Sequence, residues 1–152
     1  MTLTIMDNKG CIDVLSSNHI AHLACVRDNR PYVVPIQYAF DPRNLYIFSM
    51  PGQKIDWLRD NPKACVQVTD IRDTGEWRSV VVDGDFEEYP DGDQWHDARL
   101  HAWSLLEKRA NWWEPGSFKP EAQAVSGDTL APVFFSVRIG TMSGRHSIPD
   151  AA

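Results

Sequence analysis

Apolar residues along the chain fall into short runs separated by turn-forming residues, and the period of the runs changes from one to the next. In residues 7–17, Cys11, Ile12, Val14 and Leu15 are spaced for one side of a helix, and Asp7 or Asn8 offers a side-chain oxygen to cap it. The runs 20–27 (IAHLACVR), 31–40 (PYVVPIQYAF) and 45–50 (LYIFSM) read as strands. Asp28-Asn29 and DPRN at 41–44 are the turns between them, so the three predict an antiparallel meander. Pro51-Gly52 ends the third strand. Ile55 and Leu58 then recur at helical spacing within QKIDWLRDN, and Pro62 stops that short helix.

Residues 64–71 (ACVQVTDI) predict a fourth strand, and residues 76–90 a long fifth one, bent near Gly84. Residues 91–109 read as a helix with Trp95, Leu100, Trp103 and Leu106 roughly on one side and Asp93 as its cap. Residues 111–132 have no period. They carry Trp112, Trp113 and Phe118 among Pro115, Gly116 and Pro120, and predict a long loop whose aromatic side chains pack on the barrel or over a ligand groove. Residues 133–145 alternate as a last strand. There is no repeat and no composition break, so residues 1–152 read as one domain. Strands in hairpin runs, not alternating with helices, argue against a doubly wound sheet. They predict a mainly β fold, a six-stranded antiparallel barrel with peripheral helices.

The chain has 152 residues, of which 43% are hydrophobic and 24% charged, enough apolar material for a core without crosslinks. A net charge of −6 is a poor match to duplex nucleic acid, which needs a basic stripe. No apolar run approaches the ~18 residues of a membrane span. MTLTIMDNKG lacks the basic and apolar regions of a secretion signal, and the expected location is cytoplasmic. Cys11, Cys25 and Cys65 are an odd, widely spaced set without a CxxC pair; they read as buried free thiols in a reducing compartment. His96 and His101 are five apart and diverge on a helix, so no metal site is expected.

Three stretches carry candidate chemistry. In residues 45–68 a strand ends in Pro-Gly, and Gln53 and Lys54 open a helix, which joins free backbone N–H groups to a full positive charge, a fit for a terminal phosphate. In residues 77–84, Trp77 and Ser79 share a strand face, able to meet an aromatic ring or a phosphate. In Val33-Val34-Pro35-Ile36, a proline inside an apolar strand marks an edge, a bulge, or backbone left free for a ligand. Each also has a plain structural explanation: a solvated lysine, a polar strand start, an edge strand. There is no G-x-S-x-G elbow and no G-x-G-x-x-G turn. Any enzyme chemistry is therefore expected to come from a cofactor.

Taken in order, IAHLACVRDNRPYVVPIQYAF, LYIFSMPGQKIDWLRDNPKACVQV and WRSVVVDGDFEEYPD resemble the flavin-binding split-barrel proteins related to pyridoxamine-phosphate oxidase, in particular the branch of small flavin-nucleotide-binding proteins that includes nitroimidazole-resistance reductases. The resemblance implies a six-stranded split barrel, a homodimer, and two FMN molecules in grooves at the dimer interface. It implies that Val34, Pro35 and Ile36 line the flavin ring, partly through backbone atoms, that Ile47, Phe48 and Ser49 lie along the cofactor, that Gln53 and Lys54 form the phosphate turn, and that Ser79 and Trp77 reach the flavin or its phosphate tail. A second cation for the phosphate is expected from Arg78 or from the partner subunit. Phe48 stands where related reductases often carry a histidine, and the oxidase's arginine-rich motifs are absent, so vitamin B6 oxidation is not expected. The expected function is an FMN oxidoreductase that passes electrons from a nicotinamide donor to an unknown small-molecule acceptor. The alternatives are a non-catalytic flavin-binding module, or a haem- or deazaflavin-binding relative.

Overall fold

The computed structural model describes residues 1–108 and 132–151. In chain order these form β1 (Thr2–Met6), α1 (Asn8–Ser17), β2 (Ile20–Arg27), β3 (Arg30–Gln37), β4 (Ala39–Asp41), β5 (Asn44–Ser49), α2 (Gln53–Asp60), β6 (Lys63–Asp73), β7 (Glu76–Glu88), a short 3-10 turn (Asp93–Trp95), α3 (His96–Leu106) and β8 (Val133–Ile148). One antiparallel sheet runs in the order β3-β2-β6-β7-β8-β5-β4. The first half of β8 pairs with β5, and its last residues pair with β1. The ladder does not close between β3 and β5, so the curled sheet is a barrel split along that seam.

Local chemistry explains the elements. Asp7 caps α1 by accepting from the Gly10 amide at 2.8 Å, and Cys11, Val14 and Leu15 are buried beneath the helix while Ile12 faces outward. Asp28 and Asn29 both have positive φ (52° and 61°), which suits the tight turn between β2 and β3. The register of β7 on β8 shifts between Asp83 and Gly84. A Cβ at Gly84 would lie 2.7 Å from Val137 Cγ1 and overlap the Arg138 carbonyl, so only glycine permits the strands to meet there.

The strand count differs from expectation in two places. β1 lay outside the strand pattern: its apolar residues Leu3 and Ile5 are exposed, and it is held by pairing with β8. The apolar run 31–40 is two strands, broken at Tyr38. The Tyr38 amide donates to the His19 carbonyl at 2.9 Å, and its buried hydroxyl donates to the Leu15 carbonyl at 2.7 Å, which turns the chain there. The meander is corrected accordingly: β2 pairs with β3 and β4 with β5, but β3 and β5 are not ladder neighbours. Leu100 is solvent-exposed, whereas Leu106 is buried as expected, together with Ala102. The main core lies inside the barrel. A second cluster of Tyr46, Phe48, Tyr89, Phe134, Ala102 and Leu106 sits between the sheet and α3. The aromatic-rich residues 111–131 lie outside the described residues.

Candidate functional site

Strand alternation divides the predicted site residues between two sides of the sheet. Val34 and Ile36 face inward and pack in the main core, whereas Pro35 between them is exposed. Cross-strand register then sets the outer face. Pro35 stands opposite His22, His22 opposite Gln67, Gln67 opposite Val81, and Val81 opposite Ser143. One row further, Thr69, Ser79 and Arg145 are in line, ending on Ile5 of β1. Beyond them lie Ile71, Trp77, Ser147 and Leu3. Ser147 is buried, but among the described residues little covers the rest of this face: Ile71 is 74% exposed and Ile5 78%.

Gln67 was not among the sequence candidates. Its signal was a lone amide within the apolar run ACVQV. In the fold it organises the outer face: Nε2 donates to Ser79 Oγ at 2.8 Å and also reaches Thr69 Oγ1. Arg78, next to Ser79, points the opposite way. It is 9% exposed, and its guanidinium donates to Asp13 of α1 at 2.7 Å and to Asp70 of β6. The hydrogen bond and charge of Arg78 hold the Asp13 carboxyl below its usual range. Arg78 is therefore committed to the fold, which corrects its assignment as a second phosphate cation.

The strand–turn–helix unit forms the second group. Ile47 is buried in the main core and can offer a ligand only its backbone. Phe48, on the other face of β5, packs against Phe134 at 4.8 Å and Trp103 at 6.0 Å between ring centres. Ser49 ends the strand, with its hydroxyl donating to the Met50 carbonyl at 3.0 Å. Gly52 then precedes α2, and no side chain caps that helix. Its first-turn N–H groups are thus left to solvent or a ligand. Gln53 is exposed and Lys54 half-buried, and Lys54 has no ion pair among the described residues. Ile55 and Leu58 anchor the helix in the core, so the position of the lysine is set by the barrel.

A polar cluster joins α3 to the β4–β5 turn. Asp41 accepts from the Tyr46 hydroxyl at 2.7 Å and from the Arg43 and Asn44 amides at 2.9 and 3.0 Å, and lies 3.2 Å from His101 Nε2. Burial raises the Asp41 carboxyl, but these hydrogen bonds outweigh it and leave the group below its ordinary value. Burial first, then its hydrogen bond to Asp41 and after that the Asp41 charge, push the Tyr46 hydroxyl up. Among the described residues no group of three or more His, Cys, Asp or Glu is placed to hold a metal ion. No helix among them is long and apolar enough to cross a membrane.

A family model described as pyridoxamine 5'-phosphate oxidase matches residues 7–146. An uncharacterised protein of Rhizobium meliloti (strain 1021) is 48% identical over 145 residues, covering 95% of each chain. The crystal structure of an FAD-binding protein from Mesorhizobium loti superposes with a TM-score of 0.82 at 42% identity, covering 97% of this chain and 100% of that one. An FAD- and haem-binding protein from Mycobacterium smegmatis superposes at 0.66 with 26% identity, covering 99% of this chain and 76% of that one.

Proposed function

The chain belongs to the pyridoxamine 5'-phosphate oxidase family, and from that premise we propose that it is a flavin-nucleotide-binding oxidoreductase acting as a homodimer. The observation that carries this reading is the start of α2: a helix N-terminus without a side-chain cap, and in its first turn Lys54, which has no ion pair among the described residues, fixed at the end of β5. Free N–H groups, the positive end of the helix dipole and an ammonium suit a terminal phosphate. The name of the Mesorhizobium relative supports a flavin as the bearer of that phosphate.

The residues divide the work of holding it. Gln53 and Lys54 take the phosphate. Ile36 and Ile47 have buried side chains and meet the ring system through backbone atoms at the split seam, while the half-buried Val34 also offers part of its side chain. Pro35, Trp77 and Ser79 belong to the outer face, which a second subunit covers; Leu3, Ile5, Val33 and Ile71 are exposed apolar positions that such a subunit would bury. Phe48 and Ser49 support the β5 end of the groove. A bound flavin supplies two-electron transfer between a nicotinamide donor and a small acceptor. The chain's own part is to orient it, neutralise its phosphate and exclude water.

FMN is the smallest ligand that meets these requirements. The FAD named for the 42%-identical relative makes FAD the competing form. A non-catalytic flavin carrier is the second reading, favoured by the phenylalanine at position 48. The deciding experiment is an absorption spectrum of the purified protein with mass analysis of the released ligand. Flavin bands and an FMN or FAD mass support the proposal, and bleaching by NADH or NADPH separates an oxidoreductase from a carrier. A Soret band without flavin would overturn it. Light scattering at micromolar concentration should give a dimer.

A further inference from the structure

Where β7 and β8 cross their bulge, two opposite charges stand next to each other and do not pair. Arg138 of β8 lies directly opposite Asp85 of β7, and diagonal to Glu87, which faces Ser136. Opposite charges at such cross-strand positions ordinarily attract and pair. Here Asp85 turns away to Lys63, at 2.7 Å. Arg138 and Glu87, both exposed, have no ion pair or side-chain hydrogen bond among the described residues.

The bulge explains the separation. Thr141 faces Asp83 and Ile139 faces Gly84, so Gly140 between them is an extra residue on β8. A bulge sharpens the local twist and re-aims the side chains beside it. Gly140 also leaves the surface bare; a Cβ there would lie 3.1 Å from the Asp83 carbonyl oxygen. The result is a cleft of about 450 Å³ lined by Asp85, Phe86, Glu87, Arg138, Ile139 and Gly140. It continues past Asp85 and Gly140 into a second hollow of about 290 Å³. Phe86 and Ile139 pack against the main core and tie the cleft to it.

The charges select the ligand. Lys63 answers Asp85, which leaves one free cation and one free carboxylate on the rim. Diagonal cross-strand positions are about 7–8 Å apart. A small molecule with a carboxylate and an ammonium on one carbon fits between them, and the guanidinium fork matches the carboxylate. A plain anion or a plain cation uses only half of the site. The cleft is also apart from the Lys54 turn. Arg138 is opposite Asn44, the first residue of β5, whereas the turn follows Ser49, the last, about 17 Å along the strand.

We infer that this cleft binds a free α-amino acid as its zwitterion, with Arg138 taking the carboxylate and Glu87 the ammonium. The assignment is of binding, with no bond made or broken, and it stands independently of the flavin reading.

The test titrates L-leucine into the full chain while backbone amide signals are followed by NMR. Isocaproate, which lacks the ammonium, and isoamylamine, which lacks the carboxylate, are the controls. Saturable shifts at Glu87, Arg138 and Gly140 with leucine, and binding about tenfold weaker for each control, support the site. Arg138→Gln and Glu87→Gln should each weaken leucine about tenfold, and the charge-exchanged double variant R138E/E87R should recover part of the loss. Thermal melting of each variant checks that the fold is intact. Equal binding of isoamylamine and leucine overturns the site, because an acidic protein attracting a cation then accounts for it. Leucine shifts that survive unchanged in both single variants overturn it too. So does the absence of shifts at the cleft with leucine and every other common amino acid at millimolar concentration.

Discussion

Arg78 and Ser79 are adjacent on β7, yet they belong to opposite kinds of chemistry. Arg78 turns inward to a place where every charge is answered: Asp13 from α1 on one side, Asp70 from β6 on the other. Ser79 turns outward to a strip where Arg145 has no carboxylate partner among the described residues. The difference shows how to read charge in this fold. A saturated cation ties helix to sheet and is a structural element. An unsaturated cation among free donors is where a ligand's charge is to be expected. By this criterion Lys54 belongs with Arg145, and Arg78 does not.

The comparison breaks most visibly if Arg78 is removed. Arg78→Met leaves half-buried Asp70 with only the more distant Arg72, at 3.9 Å, and frees α1 from β7. The expected cost is about 2–3 kcal/mol, below the full range for a buried pair because Asp13 is open to solvent. Denaturant titration measures it directly. The Arg78 guanidinium is held charged at all accessible pH, so the loss should persist across the neutral range. A change under 0.5 kcal/mol would mean that the inner network is ornamental.

Lys54→Ala tests the unsaturated side. It should weaken the phosphorylated flavin by about 1.5–3 kcal/mol, tenfold to a hundredfold, and leave riboflavin nearly unaffected. Apo stability should hardly move, since no partner of Lys54 is lost among the described residues. Equal losses for both ligands would place Lys54 with Arg78 as a fold-supporting charge.

Asp41 is intermediate: saturated like Arg78, but by hydrogen bonds near the surface. Its carboxyl is depressed in the folded state, so the unfolded chain takes up a proton first as pH falls. The stability it contributes is therefore complete above the ordinary carboxylate pKa of about 4, and is lost as pH falls through the lower folded value. Asp41→Asn should cost about 1 kcal/mol at pH 7 and make the melting curve flatter below pH 5. An unchanged acid slope would remove Asp41 from the acid-labile groups.

How much of this was legible beforehand follows the range of the interactions involved. β2 and α2 were readable because their signals are local: period, a turn pair with φ above zero, Pro62 as a stop. The split of residues 31–40 was not, because Tyr38 is turned by His19 and Leu15, about twenty residues earlier. β1 was missed for a related reason, since its strand character comes from pairing with the far end of the chain. The Lys54 turn stood out because its parts are consecutive. Arg145 did not, because what distinguishes it is its neighbour across β7 and the absence of carboxylates around it, both products of register. Arg78 looked available for the same reason that Arg145 looked ordinary.

The smallest effect is the most discriminating. Ser79→Ala removes one hydroxyl from a half-exposed position, and Gln67 keeps Thr69 as an acceptor. Without ligand the stability change should stay within about 0.5 kcal/mol, the usual range for such a site. With a phosphate-bearing ligand at fixed excess, the wild-type melting temperature should rise more than that of the variant, because ligand stabilisation follows the logarithm of concentration over Kd. The same comparison with riboflavin should show no gap. A gap that appears only with the phosphate identifies Ser79 as a ligand contact on the unsaturated face. A loss already present in the apo protein would instead mean that Ser79, like Arg78 beside it, holds the sheet together.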